Sequence, residues 1–483
     1  MQINMIDIGK IIPPKSTYID GRWVKSSKIF SVYNPATNES ISEVPDMDEQ
    51  QVLQIANKAD ECFHNWKSQS DRNLFLYTWY LLIKENYHTI AQLLTTEQGK
   101  NITSAEREVL SAAEFIPWYI AESERLYGEN IPNRVKNNIH ITQIIPTGTT
   151  LAITPWNYPV AMILRKCTAS LAAGCPVLLK PSEETPLTAL YLAELADQAG
   201  IGNAFSVITT RSNLQQVSKV LLASKKIKNV SFTGSVETGH LVYQAASMTM
   251  KKTVLELGGN SPFIVFSDAD IENALNHAIF LKFLNAGQVC ITANRFLIQE
   301  DIYNDFVSEF KHRVKNLSIG PGIDNHDIGP VINFDSVRKI STLVDTANKE
   351  GAHIEEMGID RTNQQGSFKM PIIITKAHND MEICQEEIFG PVAVFLKFKN
   401  EQEAFAIAND TNYGLASYCF SQNYGTIMRF RENLETGMMF INSCALPNPK
   451  TPFGGMKGSG IGQEGGENML ENYCLRQSIQ MFY

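Results

Sequence analysis

The sequence has no long apolar run and no excess of basic residues. Its 483 residues carry a formal net charge of −9, which argues against nucleic acid or an acidic membrane surface as a main partner. No stretch approaches the roughly 18 apolar residues of a membrane span. The N-terminus lacks the basic start, long apolar stretch and small-residue cleavage site of a signal peptide. We therefore expect a soluble, cytoplasmic protein that binds neither nucleic acid nor membrane.

Cysteine is sparse and shows no metal-binding pattern. The eight cysteines include no CxxC pair, and no short Cys/His cluster has zinc spacing. We therefore predict no metal site, and we expect most of these thiols to be free and buried like small hydrophobes. Cys290 differs because it lies between small and polar residues in "LNAGQVCITANR". It is either a buried filler or a nucleophile, and the choice depends on partners elsewhere in the chain.

Helical and strand signals alternate along the chain. Residues 48–66 and 70–96 carry apolar positions at helical spacing. From about residue 150, short apolar runs are each followed by a turn signal and a helical pattern, and a second such set extends over 261–443. Strand, loop and helix repeated in this way predict a parallel sheet with helices on both faces. A chain of 483 residues is long enough for two or three domains.

Unusual residues follow four of the predicted strands. Each segment alone could be ordinary turn chemistry, since Gly, Ser, Asn and Pro end strands everywhere. In an open parallel sheet, however, ligands bind beyond the carboxyl ends of the strands, so four such segments in succession favour a ligand site. The segments are Thr154-Pro155-Trp156-Asn157, Lys180-Pro181-Ser182-Glu183, Thr233-Gly234-Ser235 and Glu256-Leu257-Gly258-Gly259.

Eight motifs resemble the aldehyde dehydrogenase superfamily, in the family's order and at its spacings. The resemblance covers nearly the whole chain. The GxGxxG dinucleotide fingerprint is absent, but this family is known for a Rossmann-like cofactor domain without it. The motifs are "TPWNYP", "LAAGCPVLLKPSEETP", "SFTGS", "ELGGNSPFIV", "GQVC", "EEIFGP", "NYGLAS" and "PFGGMKGSGIGQEGG".

The resemblance implies an α/β fold in three parts. These are a Rossmann-like NAD-binding domain, an α/β catalytic domain and a small β oligomerisation arm. The arm would combine "NRVKNNIHITQIIPTG" with "RQSIQMFY", whose alternating patterns would leave apolar positions at an edge of a lone subunit. We therefore expect a homodimer or homotetramer. The implied boundaries are 1–127 and 147–258 for the first domain, 259–459 for the second, and 128–146 and 460–483 for the arm.

The resemblance assigns catalysis to four residues. Cys290 is the nucleophile that adds to the aldehyde carbonyl, and its own N–H and the Asn157 side-chain amide form the oxyanion hole. Glu256 is the base for the deacylating water, a role that needs a pKa raised by desolvation. Glu464 handles protons. From the residues alone, Asn157 could instead be a turn or helix N-cap residue, Glu256 an acid capping the turn that follows it, and Glu464 a solvated loop acid.

Glu256 also separates the branches of the superfamily. Relatives that pass the acyl group to coenzyme A lack this glutamate, so its presence favours hydrolysis to a free acid. A catalytically silent nucleotide-binding relative would usually have lost the nucleophile or the base, and both are present here. A thiol esterase that needs no cofactor would have no use for the cofactor residues.

The resemblance implies NAD as the cofactor. Lys180 and Glu183 match the contacts to the adenosine ribose, and a glutamate there repels a 2′-phosphate, which favours NAD over NADP. Ser235 matches a pyrophosphate contact at a helix start. One departure is Thr210, since many relatives have glycine there. The residues implied for the cofactor are Thr154, Pro155, Trp156, Lys180, Ser182, Glu183, Gly234, Ser235, Leu257, Gly258, Glu387 and Phe389.

The substrate is implied less directly. The chain is most similar to the succinate-semialdehyde group, which clamps the distal carboxylate with two arginines. Arg165 matches the first, but Leu284 stands at the second, and the pocket loop "SCALPNPKTPFGG", which contains Phe453, also departs. Thr292 replaces a second cysteine, which excludes a disulfide to Cys290. We expect a semialdehyde substrate such as succinate semialdehyde. If Arg165 is structural, the alternative is a general aliphatic or amino-aldehyde (betaine-aldehyde-like) substrate.

Overall fold

The computed structural model describes residues 7–362, 365–444 and 448–483. No helix in these ranges is both long and apolar enough to cross a membrane. The helices, in chain order, are α1 Ile8–Ile11, α2 Glu49–Asn57, α3 Ala59–Lys67, α4 Arg72–Glu85, α5 Tyr87–Gln98, α6 Ile102–Ala113, α7 Phe115–Ser123, α8 Pro159–Ala172, α9 Pro186–Gln198, α10 Leu214–Ala223, α11 Val236–Ser247, α12 Ile271–Phe283, α13 Tyr303–Val314, α14 Phe334–Lys349, α15 Glu382–Gln385, α16 Glu401–Asn409 and α17 Tyr424–Asn433.

Strands alternate with these helices from residue 149 onward. They are β1 Ser16–Ile19, β2 Arg22–Lys25, β3 Ile29–Tyr33, β4 Ser40–Pro45, β5 Asn130–Ile131, β6 Asn138–Pro146, β7 Thr149–Ile153, β8 Val177–Lys180, β9 Phe205–Val207, β10 Ile227–Thr233, β11 Lys252–Glu256, β12 Ser261–Val265, β13 Ala293–Gln299, β14 Ser318–Ile319, β15 His353–Glu356, β16 Ile359–Asp360, β17 Ile372–Thr375, β18 Val392–Phe398, β19 Tyr413–Gly414, β20 Ala416–Phe420, β21 Met438–Ile441, β22 Met456–Lys457, β23 Gly460–Ile461 and β24 Cys474–Phe482.

The two predicted helical stretches before the first sheet are each broken once. The first begins at α2, where Asp48 and Gln51 form a capping box, and Lys58 separates it from α3. Asn86 separates α4 from α5. Of the apolar positions that predicted α4, Trp79 and Ile83 are fully buried. Phe75 and Leu82, at the same helical spacing, are only partly buried, so the spacing identified part of the buried face of the helix.

The first parallel sheet has the strand order β23-β11-β10-β7-β8-β9. β7 to β11 are parallel, and only the short β23 runs antiparallel, against β11. The register pairs Ile153 with Lys180 and Thr233 with Glu256. The carboxyl ends of four strands therefore meet at one edge of the sheet, as the sequence predicted.

The second sheet has the order β15-β17-β18-β13-β12-β20-β21. Its strands are parallel except β15, and β12 begins five residues after β11 ends. An apolar core that includes Phe263, Phe296 and Phe395 surrounds it. The α/β fold class is thus confirmed, with two mainly parallel sheets and a short connection from β11 to β12.

A third sheet, of order β24-β6-β5, stands apart from the other two. β6 and β24 pair antiparallel over their whole length, from Cys474 opposite Pro146 to Phe482 opposite Asn138. Large apolar side chains on it are exposed, including Leu475 and Phe482. The segment 460–483 also reaches the first domain, because β23 joins the first sheet and Met469, Leu470 and Tyr473 pack in its core. The domain boundaries remain a prediction.

Candidate active site

Backbone hydrogen bonds tie the strand-end loops of the first sheet to one another. Thr154 N–H donates to the carbonyl of Lys180 at 3.2 Å, and Gly234 N–H donates to the carbonyl of Glu256 at 3.1 Å. Gly259, in the connection to the second sheet, has no room for a side chain, since an added Cβ would collide with the carbonyl oxygen of Cys290. The edge predicted to bind ligand therefore lies against the loop that carries Cys290.

Cys290 follows α12 and precedes β13, and it packs against the apolar core that surrounds the second sheet. It is only half-buried, whereas the other cysteines except Cys62 are buried. Burial raises the pKa of its thiol to about 12, with the carboxylates of Glu387 and Glu256 adding to the rise and Arg165 opposing it. Cys290 is therefore a protonated thiol near neutral pH, and its use as a nucleophile requires loss of that proton.

Asn157 is buried beside that loop, and contacts hold both its side chain and its backbone. Its Nδ2 donates to the carbonyl oxygen of Gln288 at 3.0 Å. Its own carbonyl oxygen accepts from Lys100 Nζ at 2.8 Å and from Asn285 Nδ2 at 3.0 Å. The N-cap of α8 is Tyr158 and carries no side-chain cap bond, so the interpretation of Asn157 as an N-cap residue is wrong.

Glu256 is the last residue of β11 and is 2% exposed. Neither carboxylate oxygen has a hydrogen-bond partner among the described residues. Burial raises the pKa of Glu256 well above its usual value, Glu464 adds to the rise, and Lys166 and Arg165 oppose it. It does not cap the turn that follows, because the Gly259 N–H donates instead to Glu387 Oε1 at 3.0 Å.

Glu464 is fully buried, so the interpretation as a solvated loop acid is wrong. It forms an ion pair with Lys166 and accepts from Ser231 Oγ at 3.3 Å. A backbone bridge to Phe453 holds it inside, with the Phe453 N–H donating at 2.6 Å and the Glu464 N–H at 2.7 Å. The end of β11 and the C-terminal loop thus place two carboxylates, Glu256 and Glu464, near each other in a buried interior.

Arg165 lies on α8 with its guanidinium between two aromatic rings. Its Cζ is 5.0 Å from the centroid of Phe115 and 4.5 Å from that of Phe453. Nη1 is 3.7 Å from a Glu464 carboxylate oxygen, yet Nε and Nη1 form no hydrogen bond within the described part of the chain. A guanidinium that is 2% exposed therefore retains free donors beside the candidate nucleophile.

The other substrate-pocket positions are only partly described. Leu284 begins the 3₁₀ turn Leu284–Gly287 and packs against the apolar core that surrounds the second sheet. Thr292 Oγ1 donates to the carbonyl oxygen of Leu281 at 2.8 Å, so it anchors the base of the Cys290 loop. Residues 445–447 of the departing loop "SCALPNPKTPFGG" lie outside the described residues.

The adenosine side of the site has charged residues at the predicted positions. Lys180 is 5% exposed and its Nζ lies 3.4 Å from Glu183 Oε2. Ser182 Oγ accepts from the Glu184 N–H at 3.3 Å. Ser235 caps α11 by accepting from the Thr238 N–H at 3.3 Å. The exposed N-terminal turn of α11 leaves further N–H groups facing solvent, which is the geometry that binds anions.

Residues predicted to hold the nicotinamide half of the cofactor contact one another near the connection between the two sheets. Trp156 and Phe389 are 5.4 Å apart and edge-on, with an interplanar angle of 87°, and Phe389 is held at φ 55°. A Cβ added to Gly258 would stand 2.6 Å from Glu387 Oε2. Burial raises the pKa of Glu387 to about 7, while the Gly259 N–H opposes the rise. A carboxylate able to accept from ribose hydroxyls, beside two aromatic rings, fits the chemistry of a nicotinamide ribose and ring.

Thr210, the departure on the adenosine side, has an internal partner. Its Oγ1 donates to Asp46 Oδ1 at 3.1 Å, and Asp46 also accepts from the Arg211 N–H at 2.8 Å. Hydrogen bonds from this loop lower the pKa of Asp46, although burial opposes them. Arg211 in turn pairs with Glu184 at 3.2 Å. A hydrogen-bonded loop therefore takes the place of the glycine common in relatives.

The sequence analysis did not predict the residues that hydrogen-bond to the catalytic residues and support them. Lys166, Lys100, Asn285 and Gln288 were not predicted, although each contacts a predicted catalytic residue. The only sequence signal was their adjacency: Lys166 follows Arg165, and Asn285 and Gln288 precede Cys290.

Comparison with known proteins places the chain in a family. The aldehyde dehydrogenase family profile matches residues 23–479. A succinate semialdehyde dehydrogenase of Acinetobacter baylyi is 41% identical over 462 residues, 94% of this chain and 95% of that protein. A probable succinate-semialdehyde dehydrogenase [NADP(+)] of Sinorhizobium fredii is 40% identical over 449 residues, 92% and 91%. The crystal structure of a Burkholderia pseudomallei succinate-semialdehyde dehydrogenase superposes with a TM-score of 0.95, 36% identity and complete coverage of both chains.

Proposed function

The chain belongs to the aldehyde dehydrogenase family, and we propose that it oxidises a semialdehyde with a distal carboxylate to the dicarboxylic acid. It is an oxidoreductase that acts on aldehydes with NAD(P). One observation carries the proposal for the substrate: the buried Arg165 guanidinium has free donors and is close enough to Cys290 for its charge to lower the pKa of that thiol.

Cys290 forms the covalent bond to substrate. Its thiol loses a proton to water, and the sulfur adds to the aldehyde carbon, so this step does not depend on Glu256. The oxygen of the tetrahedral adduct accepts from the Cys290 N–H and from Asn157 Nδ2. Removing one such donor typically lowers the rate by about 10²–10³.

The adduct then collapses to a thioester on Cys290. The C–H bond breaks with both electrons, so the aldehyde carbon is oxidised by two electrons while the C–S bond is kept. A bound nicotinamide dinucleotide supplies the acceptor for that hydride. Trp156, Phe389 and Glu387 would hold its nicotinamide and ribose, since Trp156 contacts Phe389 and Glu387 lies against Gly258.

Glu256 prepares the water that hydrolyses the thioester. Its unpartnered oxygens are free to accept a proton from water, and burial keeps its pKa high enough for efficient proton transfer. Water oxygen bonds to the acyl carbon, the C–S bond breaks, and Cys290 regains a proton. Glu464, which raises the pKa of Glu256, passes the surplus proton onward with Lys166. The net change is aldehyde plus water to acid, with two electrons removed.

NAD is the proposed cofactor in preference to NADP. Glu183 is held beside Lys180, where its charge opposes a 2′-phosphate on the ribose. Arg211, a cation on the same side of the site, is paired with Glu184. The Sinorhizobium fredii relative is named for NADP, so the preference rests on the residues of this chain.

A distal carboxylate on the substrate would complete the partners of Arg165. A charge-assisted hydrogen bond of this kind contributes about 1.5–3 kcal/mol. The same guanidinium disfavours a quaternary ammonium substrate, because two positive charges would meet in a buried site. Uncharged aliphatic aldehydes form the second candidate class, and Leu284 favours them because its side chain offers no second carboxylate contact.

A homodimer or homotetramer is the proposed assembly. The sheet β24-β6-β5 leaves Leu475, Met481 and Phe482 exposed by 52%, 43% and 68%. Pairing of these sheets between subunits would cover them. Sedimentation at micromolar concentration that finds only a 54.0 kDa monomer would remove this proposal.

The experiment that tests the function measures NADH formation with succinate semialdehyde, propanal and betaine aldehyde, each with and without coenzyme A. We expect succinate semialdehyde to give the highest kcat/KM and coenzyme A to leave the rate unchanged. Strict dependence on coenzyme A would identify an acylating enzyme, and equal rates for propanal and succinate semialdehyde would favour the second candidate.

A further inference from the structure

The backbone just before Cys290 is left-handed at three successive residues. Asn285, Ala286 and Gly287 have φ of 51°, 56° and 74°. Gly287 has no space for a side chain, because an added Cβ would collide with the carbonyl oxygen of Gly390. Two adjacent non-glycine residues in this region are unfavourable and persist only where the surroundings hold them. The loop that carries Cys290 therefore does not favour this conformation by itself. Contacts with other residues hold it there.

Asn285 supplies those contacts through one side-chain amide. Its Nδ2 donates to the Asn157 carbonyl oxygen at 3.0 Å and to the Gln288 carbonyl oxygen at 3.3 Å. Its Oδ1 accepts from Gln98 Nε2 at 3.0 Å. Asn285 is 8% exposed, so water does not replace these partners. The amide thus spans from the loop after β7 to the loop that precedes Cys290.

Gln288 also joins the loop that carries Asn157 to the loop that carries Cys290. Its carbonyl oxygen accepts from Asn157 Nδ2 at 3.0 Å, and its side chain accepts from the Ile332 N–H at 2.8 Å and donates to the Asn285 carbonyl at 3.0 Å. Asn157 is therefore held at two points: its carbonyl oxygen by Asn285 and its Nδ2 by the Gln288 carbonyl. One N–H of the Asn157 amide is occupied in this way, and the other remains for an oxyanion.

We propose that Asn285 is a positioning residue that fixes the Asn157 amide relative to the Cys290 sulfur. The inference rests on the proposed roles of Cys290 and Asn157. Asn285 touches no reacting atom. It sets the distance between the nucleophile and the oxyanion donor by joining the two loops that carry them, and a misplacement of about 1 Å at such a site can lower a rate by about 10².

The test uses Asn285→Gly and Asn285→Asp. Asn285→Gly keeps the left-handed backbone and removes the amide. Asn285→Asp keeps the shape but turns a carboxylate oxygen toward the Asn157 and Gln288 carbonyls. The matched control is Asn325→Gly, an exposed asparagine with φ 59° at the end of the 3₁₀ turn Gly322–Asp324. Each enzyme is titrated for reactive Cys290 with a radiolabelled alkylating agent, so that rates refer to folded sites.

We expect the rate of the NADH burst per titrated site to fall by about 10- to 100-fold in Asn285→Gly and further in Asn285→Asp. The KM for NAD should stay unchanged, and Asn325→Gly should match the native enzyme. Gln98→Leu, which removes one partner without changing the loop, should give a smaller loss in the same direction if Asn285→Gly does not fold.

Two results overturn the proposal in different ways. A native burst rate per titrated site in the Asn285 variants, with only the melting temperature lowered, would show a structural role. Asn157→Ala in the same assay, and Cys290→Ala at equal protein concentration because it has no Cys290 to titrate, separate this from a failure of the proposed function. If those two variants retain the burst, the assignment of the site itself is wrong.

Discussion

Glu97 and Glu256 are both buried glutamates, but their surroundings differ. Glu97 is 0% exposed, and its two oxygens accept from the N–H groups of Leu187 and Thr188, each at 2.8 Å, in the first turn of α9. Glu256 is equally inaccessible, and its oxygens have no partner within the described ranges. Glu97 therefore completes a helix start, whereas Glu256 is left free to react.

Two buried arginines, Arg295 and Arg165, also differ in how many of their hydrogen-bond donors have acceptors. Arg295 donates to five oxygens, those of the Asn260 side chain and carbonyl, the Asn379 side chain and the carbonyls of Ile407 and Ala408. Arg165 is as deeply buried, but beyond an ion pair with Glu464 at 3.7 Å its Nε and Nη1 have no hydrogen-bond acceptor in the described part of the chain. Burial of a charge is costly unless it is satisfied. A buried charged group with unused hydrogen-bonding atoms thus indicates function, and one whose atoms are all hydrogen-bonded indicates structure.

The largest expected effect is that of Cys290→Ala. Removing the nucleophile should abolish both dehydrogenase and esterase activity, because neither can form the thioester. Cys62→Ala, which changes the other half-buried cysteine, is the control and should retain native rates. Residual turnover of an aldehyde by Cys290→Ala above the uncatalysed rate would contradict the assignment.

Glu256→Gln should slow steady-state turnover by about 10²–10⁴, the usual effect of losing a general base. The native deacylation rate should rise with pH through a pKa above the ordinary 4.5, because burial raises the pKa of Glu256 and only its ionised form accepts a proton. The variant should lose that rise. A native pH profile of turnover in Glu256→Gln would remove the residue from the mechanism.

Arg165→Ala should lower kcat/KM for succinate semialdehyde by roughly 10- to 150-fold, as expected for a lost charge-assisted contact. The rate with propanal should change little, and Leu284→Arg should lower the KM for succinate semialdehyde while worsening the uncharged substrate through desolvation of the added charge. Arg295→Lys serves as the control, since it should reduce stability without selectivity. An equal loss on both aldehydes in Arg165→Ala would make Arg165 structural.

Glu97→Gln should reduce the free energy of unfolding by about 1–3 kcal/mol and leave turnover per folded site unchanged. Burial raises the pKa of Glu97 from 4.5 to about 8. A raised carboxyl pKa means that the folded state binds more protons, so this contribution to stability is present below pH 4.5 and is lost as pH rises toward 8. Denaturant unfolding across pH 5–8 should show a shallower decline in the variant than in the native protein.

The smallest expected effect is that of Glu183→Ala on cofactor choice. Removing the carboxylate should improve kcat/KM with NADP by roughly tenfold, equivalent to a repulsion of about 1.4 kcal/mol. Activity with NAD should fall modestly because a ribose contact is lost. Glu61→Ala, an exposed change on α3, should leave the NAD to NADP ratio untouched, and an unchanged ratio in Glu183→Ala would show that Glu183 does not discriminate.

The strand-end residues were predictable because parallel strands bring their carboxyl ends together. Apolar runs identified β7, β8, β10 and β11, and the residues after each run met as expected. The support of Asn157 was not predictable, since Lys100 and Asn285 lie 57 and 128 positions away in the chain. The same holds for Arg165, whose aromatic neighbours come from α7 and from the C-terminal loop. Long-range packing has no local signal in a single sequence.

Trapping the acyl-enzyme tests the central claim most directly. Glu256→Gln enzyme is mixed with succinate semialdehyde and NAD, quenched in acid within seconds, and analysed by intact and peptide mass spectrometry. The account predicts a stoichiometric succinyl thioester on Cys290, formed with an equal amount of NADH, and the same adduct only fleetingly in the native enzyme. Steady turnover of Glu256→Gln at the native rate with no adduct on Cys290 would contradict it.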